Sequence, residues 1–305
     1  MFLRPVHFVP PVTNIDFVAK RWWAFSVTII LMLITVGALA IKGLNLGIDF
    51  KGGILIEAKA PQAIDTAALH TELNQLNLGE VMLQQFGSPD DILIRIQRQE
   101  GDEAAQMHAI QSVRDKLGTT YEYRRVEVVG PTVGKELFHA GILATVLAML
   151  AISLYVGLRF EWQFGVAALI ATFHDVLTTV GLYAVLQLDF NLTAVAALLT
   201  LAGYSINDTV VVFDRIRETL RRQKSNDLRS VINDSVNQML SRTVMTSGTT
   251  LLALLPLVLV GGTTLINFSA ALTWGIFVGT YSSIYVAAAL LLYMPALRRI
   301  EAVKA

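Results

Sequence analysis

Residues Leu192–Phe213 read LTAVAALLTLAGYSINDTVVVF, an apolar run with one charged side chain, Asp208. An α-helix needs about 20 mainly apolar residues to cross the hydrocarbon core of a bilayer. The stretch therefore predicts a transmembrane helix that carries a carboxylic acid. Ionisable side chains at membrane depth are rare and indicate a functional site by default. This one run thus indicates both the fold class and the first candidate residue.

Five further apolar runs have the length of a membrane span. Hydrophobic residues make up 54% of the chain, charged residues only 16%, and the mean hydropathy is +0.55; an ordinary soluble domain has roughly 25% charged residues. We predict a membrane α-helical bundle of six transmembrane helices. The other five spans are Trp22–Ile41, Leu137–Leu158, Trp162–Leu186, Thr243–Gly261 and Phe268–Tyr293. The first exceeds a signal-peptide core of about 7–15 residues, so we expect an uncleaved anchor.

Lysine and arginine alternate between the connections in the way that sets membrane orientation. The connections 187–191 and 262–267 contain neither residue type, whereas the connection 214–242 is rich in arginine. Further positive charges flank the other spans on the same side as this connection, at Arg4, Lys20, Arg21, Arg159, Arg298, Arg299 and Lys304. We therefore expect the N-terminus (1–21), the connection 214–242 and the C-terminus (294–305) in the cytoplasm. Residues 44–135 would then lie outside, in the periplasm if the cell has one.

Residues 44–135 have the mixed polarity of a small globular domain. Alternating and helical periodicities predict the order βαββαβ, which is the split pattern of ferredoxin-like α+β domains. The predicted strands are Gly53–Ala58, Glu80–Phe86, Ile92–Gln97 and Thr120–Val129, with a turn at Gly87–Asp90, and the predicted helices are Ile64–Leu76 and Asp102–Leu117.

The composition excludes several function classes. The chain has no cysteine, so disulfides, thiolate catalysis and zinc–thiolate sites are ruled out. Its formal net charge is zero, which gives no indication of nucleic-acid binding. His174 and Asp175 lack further metal ligands near them in the sequence, and no nucleophile–base arrangement is evident. We expect no metal, no cofactor and no enzymatic activity.

Asp208 and Arg242 are the leading candidates for a proton relay. Arg242 begins the fifth span from the side on which the fourth span ends, so the two side chains are at compatible depths. A nearby cation changes the proton affinity of a buried carboxylate, and a pair that forms and breaks would load and release a proton. The alternatives are a static ion pair, or an Arg242 that only reaches the headgroups. Supporting polar residues in the third to fifth spans are His174, Asn207, Thr246 and Thr249. Packing between helices is the default role of the hydroxyl groups, and holding water for the proton is the alternative.

His174 and Asp175 lie in the middle of the third span. Adjacent helical residues point about 100° apart, so we do not expect both to face one partner. Asp175 is a further candidate for the relay, and equally a packing residue in a polar interior with Thr178 and Thr179. In the sixth span, Gly275, Gly279 and Ser283 follow one another at four-residue spacing, a small-residue face that lets helices approach closely.

The order of the elements is asymmetric. One helix precedes the globular domain and five helices with short connections follow it. Half of a pseudo-symmetric transporter has this organisation. No second copy is evident in the chain, so a related partner subunit would supply the other half.

Several motifs resemble the SecD/SecF family of bacterial protein-export membrane proteins. They are Gly47–Gly53 (GIDFKGG), Val128–Gly134 (VVGPTVG), Ala171–Asp175 (ATFHD), Gly203–Glu218, Arg242–Thr250 and Thr280–Ala287. They run along nearly the whole chain in the order of the family, and together they are specific.

The resemblance implies a fold related to the resistance-nodulation-division (RND) transporters, in the bacterial inner membrane. It implies association with a SecD partner, with YajC and with the SecYEG channel, and a functional link to SecA. It also implies use of the proton motive force to promote translocation of unfolded polypeptide, with Asp208 on the essential aspartate of the family and Arg242 on its arginine of the fifth span. An RND-type small-molecule efflux half-transporter and a passive assembly scaffold are the alternatives.

Overall fold

The computed structural model describes residue 10 and residues 13–222, 227–260 and 263–295, with only the backbone at Pro131, Thr263 and Thr264. Arg4, Lys224, Gly261 and the tail 296–305, on which parts of the predicted topology rest, lie outside the described residues. Six helices in the described part of the chain are long and apolar enough to cross a membrane. The predicted bundle of six membrane-length helices is confirmed.

Five of the six membrane-length helices are longer than the apolar runs, and the third has the same bounds as its run. The six helices are α1 (Arg21–Ile41), α5 (Pro131–Arg159), α6 (Trp162–Leu186), α7 (Leu192–Arg222), α8 (Leu228–Val260) and α9 (Thr263–Tyr281), which continues through a π-helical segment, Ser282–Ala287, to Tyr293. Helices α7 and α8 both extend into the predicted connection 214–242, because charged residues can continue a helix beyond the bilayer. Most of this connection is therefore helical.

Helices α6, α7 and α9 form the centre of the bundle, and α1, α5 and α8 are peripheral. Large apolar side chains such as Ile29, Leu154 and Leu252 are exposed on the peripheral helices, as expected of surfaces that face lipid. Helices α7 and α9 approach closely at Gly275, where an added Cβ would lie 2.4 Å from Leu201 Cδ2. At Gly279 the nearest atom would be Ser205 Cβ, at 3.3 Å.

The globular domain lies between α1 and α5 in the sequence. Its elements are α2 (Ile48–Lys51), β1 (Gly53–Lys59), α3 (Thr66–Asn74), β2 (Val81–Phe86), β3 (Ser88–Ile96), α4 (Glu103–Leu117) and β4 (Glu122–Val129). The four strands form an antiparallel sheet in the order β2-β3-β1-β4. Helices α3 and α4 cover one face, over a core that includes Ile56, Leu73, Ile94 and Val113. The predicted βαββαβ order is confirmed.

The turn predicted at Gly87–Asp90 is wrong in extent. Strand β3 already begins at Ser88, and Phe86 pairs with Ser88, so that only Gly87 lies between the strands. Gly87 has a φ of +63°, which glycine adopts without a steric penalty. Pro89 lies within the strand, since an irregularity in pairing next to Phe86 reduces the demand for ladder hydrogen bonds.

Candidate functional site

Asp208 lies on α7, facing α8. Its Oδ1 accepts a hydrogen bond from Thr243 Oγ1 at 2.8 Å. Its Oδ2 is buried and has no hydrogen-bond partner among the described residues. Asp208 is about 24 Å along α7 from Leu192, at 1.5 Å per residue. One oxygen of the carboxylate is thus fixed by the neighbouring helix, and the other is free to receive a partner.

Asp208 and Arg242 do not form the ion pair that the sequence suggests as one possibility. In the part of the chain that the structure describes, no lysine or arginine nitrogen lies within 4.0 Å of the Asp208 carboxylate. Thr243 occupies that position, and the side chain of Arg242 is exposed. Consecutive residues of a helix point about 100° apart. When Thr243 faces α7, the guanidinium of Arg242 therefore stays beyond ion-pair distance of Asp208 in the described part of the chain.

Three residues predicted to support Asp208 form no hydrogen bond with its carboxylate in the described part of the chain. They are Asn207, Thr246 and Thr249. All three side chains are exposed. Thr246 Oγ1 donates to the carbonyl oxygens of Arg242 and Thr243, and Thr249 Oγ1 donates to those of Met245 and Thr246. The hydroxyls thus satisfy carbonyls of their own helix, and they lie on an outer face of the bundle.

Asp175 is the centre of a second polar cluster, inside the bundle. It is fully buried, at 0% exposure. Its Oδ2 accepts from Ser205 Oγ of α7 at 2.5 Å and from Ser282 Oγ at 2.7 Å. Its Oδ1 lies 2.9 Å from His174 Nδ1. This carboxylate therefore holds together three elements of the bundle centre: α6, α7 and the π-helical segment.

Thr178 and Thr179 are buried beside Asp175, in the polar interior that the sequence predicts. The Thr178 and Thr179 hydroxyls donate to the backbone oxygen of Asp175 and not to its carboxylate. The His174 ring contacts the carboxylate of Asp175 itself, and not a third residue that both would share. His174 Nε2 is buried and has no hydrogen-bond partner among the described residues.

The serine and threonine partners of the two acids were missed from the sequence. Besides Ser205, Ser282 and Thr243, hydroxyl pairs join Thr209 to Ser283 at 2.8 Å and Ser247 to Thr280 at 2.6 Å. One feature of the sequence points to these partners: the spacing of Ser205, Asp208 and Thr209 places the three residues on one face of a helix. The small-residue face ending at Ser283 is a second such feature. Ser282 and Ser283 lie in the π-helical segment, and such segments occur frequently at functional sites.

The globular domain is attached to the start of α7, the helix that carries Asp208. Asp49 Oδ2 accepts from the backbone N–H of Leu192, the first residue of α7, at 2.9 Å. A carboxylate at a helix N-terminus satisfies a free N–H and interacts favourably with the helix dipole. Gly134 fits against the same motif, since an added Cβ there would lie 2.7 Å from Phe50 O. Two of the motifs that suggested the family thus pack against each other.

A second attachment joins the sheet to the connection between α6 and α7. Arg95 of β3 forms an ion pair with Asp189, and its Nη1 donates to Asn45 Oδ1 at 3.1 Å. Burial lowers the pKa of the Arg95 guanidinium from its usual value. Next to this pair, Gly47 N donates to Phe190 O at 2.9 Å, and Phe190 N donates to Asn45 O at 2.8 Å. An ion pair and backbone hydrogen bonds therefore connect the domain to the bundle.

Comparison with known proteins assigns the family. Residues 109–296 match the family described as Protein export membrane protein SecD/SecF, C-terminal, and residues 37–62 match the SecD/SecF GG motif. The chain belongs to the SecD/SecF family. Gly52 and Gly53 of the GG motif have φ values of +76° and +131°, and an added Cβ at Gly53 would lie 2.7 Å from Ile96 O. This backbone conformation strongly favours glycine.

Curated SecD/SecF relatives extend over the same length. The chain is 44% identical to the protein translocase subunit SecF of Rickettsia prowazekii over 95% of this chain and 94% of the relative. It is 44% identical to that of Rhodobacter capsulatus over 94% and 90%. The crystal structure of SecDF from Thermus thermophilus, a translocon-associated membrane protein, matches with a TM-score of 0.84 and 37% identity. That match covers 95% of this chain but only 39% of the SecDF chain.

Proposed function

We propose that this chain is the SecF-type subunit of a protein translocase, and that it couples proton movement to the export of polypeptide. The relatives that it matches along nearly their whole length are named as translocase subunits. The observation that carries the coupling is Asp208, an acid at membrane depth with one oxygen bound by Thr243 and the other unpartnered among the described residues. The proposed role is transport and not enzymatic catalysis.

The proposed relay uses Asp208 in two charge states. A carboxylate in a low-dielectric site gains or loses a proton according to the charges and hydrogen-bond donors close to it. Arg242 precedes Thr243, the present partner of Asp208, on the same helix. A rotation or shift of α8 relative to α7 would exchange the hydroxyl for the guanidinium, and Asp208 would release its proton. Asp175 already has partners on both oxygens, so we assign it to a supporting position in the relay.

The proposed setting is the bacterial inner membrane, with both termini in the cytoplasm and the globular domain on the outer side. The SecDF match covers only 39% of the longer chain, so we propose that a SecD-type subunit supplies the other half. YajC and the SecYEG channel are the further proposed partners, with SecA acting through the channel. The substrate is unfolded polypeptide that emerges outside.

Asp208→Asn tests the proposal, since it retains the size of the side chain and removes the titratable proton. We expect secretory precursor to accumulate in pulse-chase experiments at unchanged levels of the subunit, and Asp208→Glu to retain part of the export. Asp214→Asn is the matched control, because Asp214 is an exposed acid on the same helix. Normal export with Asp208→Asn would leave a passive scaffold as the better function.

A further inference from the structure

The two edges of the sheet differ in charge. Strand β4 is one edge and carries Glu122, Arg124, Arg125 and Glu127. Strand β2 is the other edge and reads VMLQQF, without a charge, a proline or a glycine. Exposed edge strands are commonly protected from pairing with other chains by charged side chains or proline. The β4 edge has this protection, and the β2 edge lacks it.

The hydrogen-bond pattern shows which backbone groups of β2 point away from the sheet. Gln97 N donates to Glu80 O at 2.9 Å, so this pair is a hydrogen-bonded pair of the antiparallel ladder. Such pairs alternate along the strands, and the next two involve Met82 and Gln84. The N–H and C=O groups of Leu83 and Gln85 therefore point outward. Val81 also points outward, and its carbonyl oxygen lies 3.1 Å from His70 Nε2 of α3.

A cavity of about 600 Å³ runs beside this edge. Thr66, Ala67 and His70 of α3 line one side of it. Asn45, Arg95 and Gln187 also line it, and Arg95 belongs to the ion pair that attaches the domain to the bundle. The backbone groups of β2 that point outward thus border this cavity, which the described residues leave open. Helix α3 and the part of the domain next to the bundle also line it.

We propose that β2 binds an extended segment of the polypeptide being exported, which adds to the sheet as a fifth strand. Strand addition uses main-chain hydrogen bonds, and these form with any sequence except at proline. A translocase that receives many precursors needs this lack of sequence preference. Met82, which is flexible and 39% exposed, adapts to different side chains. The inference rests on the proposed export function and names where its substrate is held.

Cross-linking from β2 tests the contact directly. The chain has no cysteine, so Met82→Cys and Gln84→Cys each introduce a single thiol. Val128→Cys on the β4 edge is the matched control, since Val128 is 45% exposed. In membranes with an arrested secretory precursor that carries one cysteine, we expect disulfide formation from Met82→Cys and Gln84→Cys to exceed that from Val128→Cys several-fold. Equal yields would overturn the inference.

Proline at position 85 tests the main-chain hydrogen bond. Gln85→Pro removes an N–H that points outward and leaves the bonds between β2 and β3 in place. Gln85→Ala is the control, because it removes the same side chain, including its bonds to Ile64 O and Pro89 O, and keeps the N–H. With Met82→Cys in the background, we expect Gln85→Pro to lower the cross-link to precursor about fivefold relative to Gln85→Ala, the effect of one lost hydrogen bond.

Two outcomes separate this inference from the proposed function. Equal cross-linking of the Gln85→Pro and Gln85→Ala variants, or cross-links from Met82→Cys to a partner subunit in place of the precursor, would overturn strand addition alone. Normal export in a strain that lacks this chain would overturn the proposed function. Cross-linking to precursor does not depend on Asp208, so loss of proton coupling in Asp208→Asn leaves the β2 result interpretable.

Discussion

Asp208 and Asp175 show that two acids of one bundle can have different surroundings. Asp175 is enclosed by Ser205, Ser282 and His174, which occupy both of its oxygens. Asp208 has one hydroxyl partner, Thr243, and one unpartnered oxygen among the described residues. A fully bonded acid in a packed interior is held in place, whereas a half-bonded acid can exchange partners at lower cost. This difference is why we assign the relay to Asp208.

Thr243 gives a prediction at this scale. Thr243→Val keeps the shape of the side chain and removes the donor to Asp208, so we expect export between that of the unchanged protein and that of Asp208→Asn. Thr243→Ser restores the hydroxyl and should restore most of the export. The measurement is the rate of precursor processing at matched subunit levels. Thr250→Val is the control, because the Thr250 hydroxyl donates to the Thr246 carbonyl of its own helix, and it should have little effect. A similar loss in both variants would argue against a specific role for Thr243.

At the scale of elements, α7 connects the globular domain to the candidate site. Its first residue, Leu192, is bound by Asp49 of the domain, and Asp208 lies further along the same helix. The ion pair between Arg95 and Asp189 holds the sheet against the preceding connection. A movement of the domain would therefore act on the start of α7. The helix is a rigid element through which the substrate side and the acid can influence each other.

Removing the Asp49 cap tests this connection. Asp49→Ala leaves the N–H of Leu192 without its partner, which costs about 0.5–2 kcal/mol in other helix caps. We expect faster hydrogen exchange in the first turn of α7 and slower export, and Asp49→Asn should retain most of both. Asp65→Ala is the control, because Asp65 caps α3 within the same domain. Unchanged exchange at α7 in Asp49→Ala would show that the cap does not hold the helix start.

At the scale of the whole molecule, one outer face of the bundle is unusual for a surface in lipid. Thr200, Gly203 and Asn207 of α7 are exposed, as are Thr246 and Thr249 of α8. Polar side chains inside a membrane generally face protein or water and not lipid, and small residues mark helix–helix contacts. This face, which we call the α7–α8 polar face, fits the proposed SecD-type partner.

A bulky residue on the α7–α8 polar face should weaken that assembly. An added Cβ at Gly203 meets no atom within 4 Å in the described chain, and the same holds for Gly37 on α1. A side chain added at either position thus starts in open space, and we expect both Gly203→Leu and Gly37→Leu to fold. We expect only Gly203→Leu to reduce co-purification of the SecD-type partner from membranes. If both variants retained the partner equally, the polar face would not be the contact.

The sequence determined the six spans and the order of strands and helices in the domain, because hydropathy and periodicity are local properties that add up along the chain. It also placed Asp208 within the fourth membrane-length helix. Tertiary structure alone decided that Thr243 and not Arg242 contacts Asp208, that Asp175 is bonded by Ser205 and Ser282, and that Asp49 caps α7. These contacts join residues far apart in the chain, and they depend on how each helix is rotated. Successive residues of a helix point about 100° apart. A rotational error of one residue therefore leaves the predicted span almost unchanged, but it brings a different side chain to the contact with the neighbouring helix.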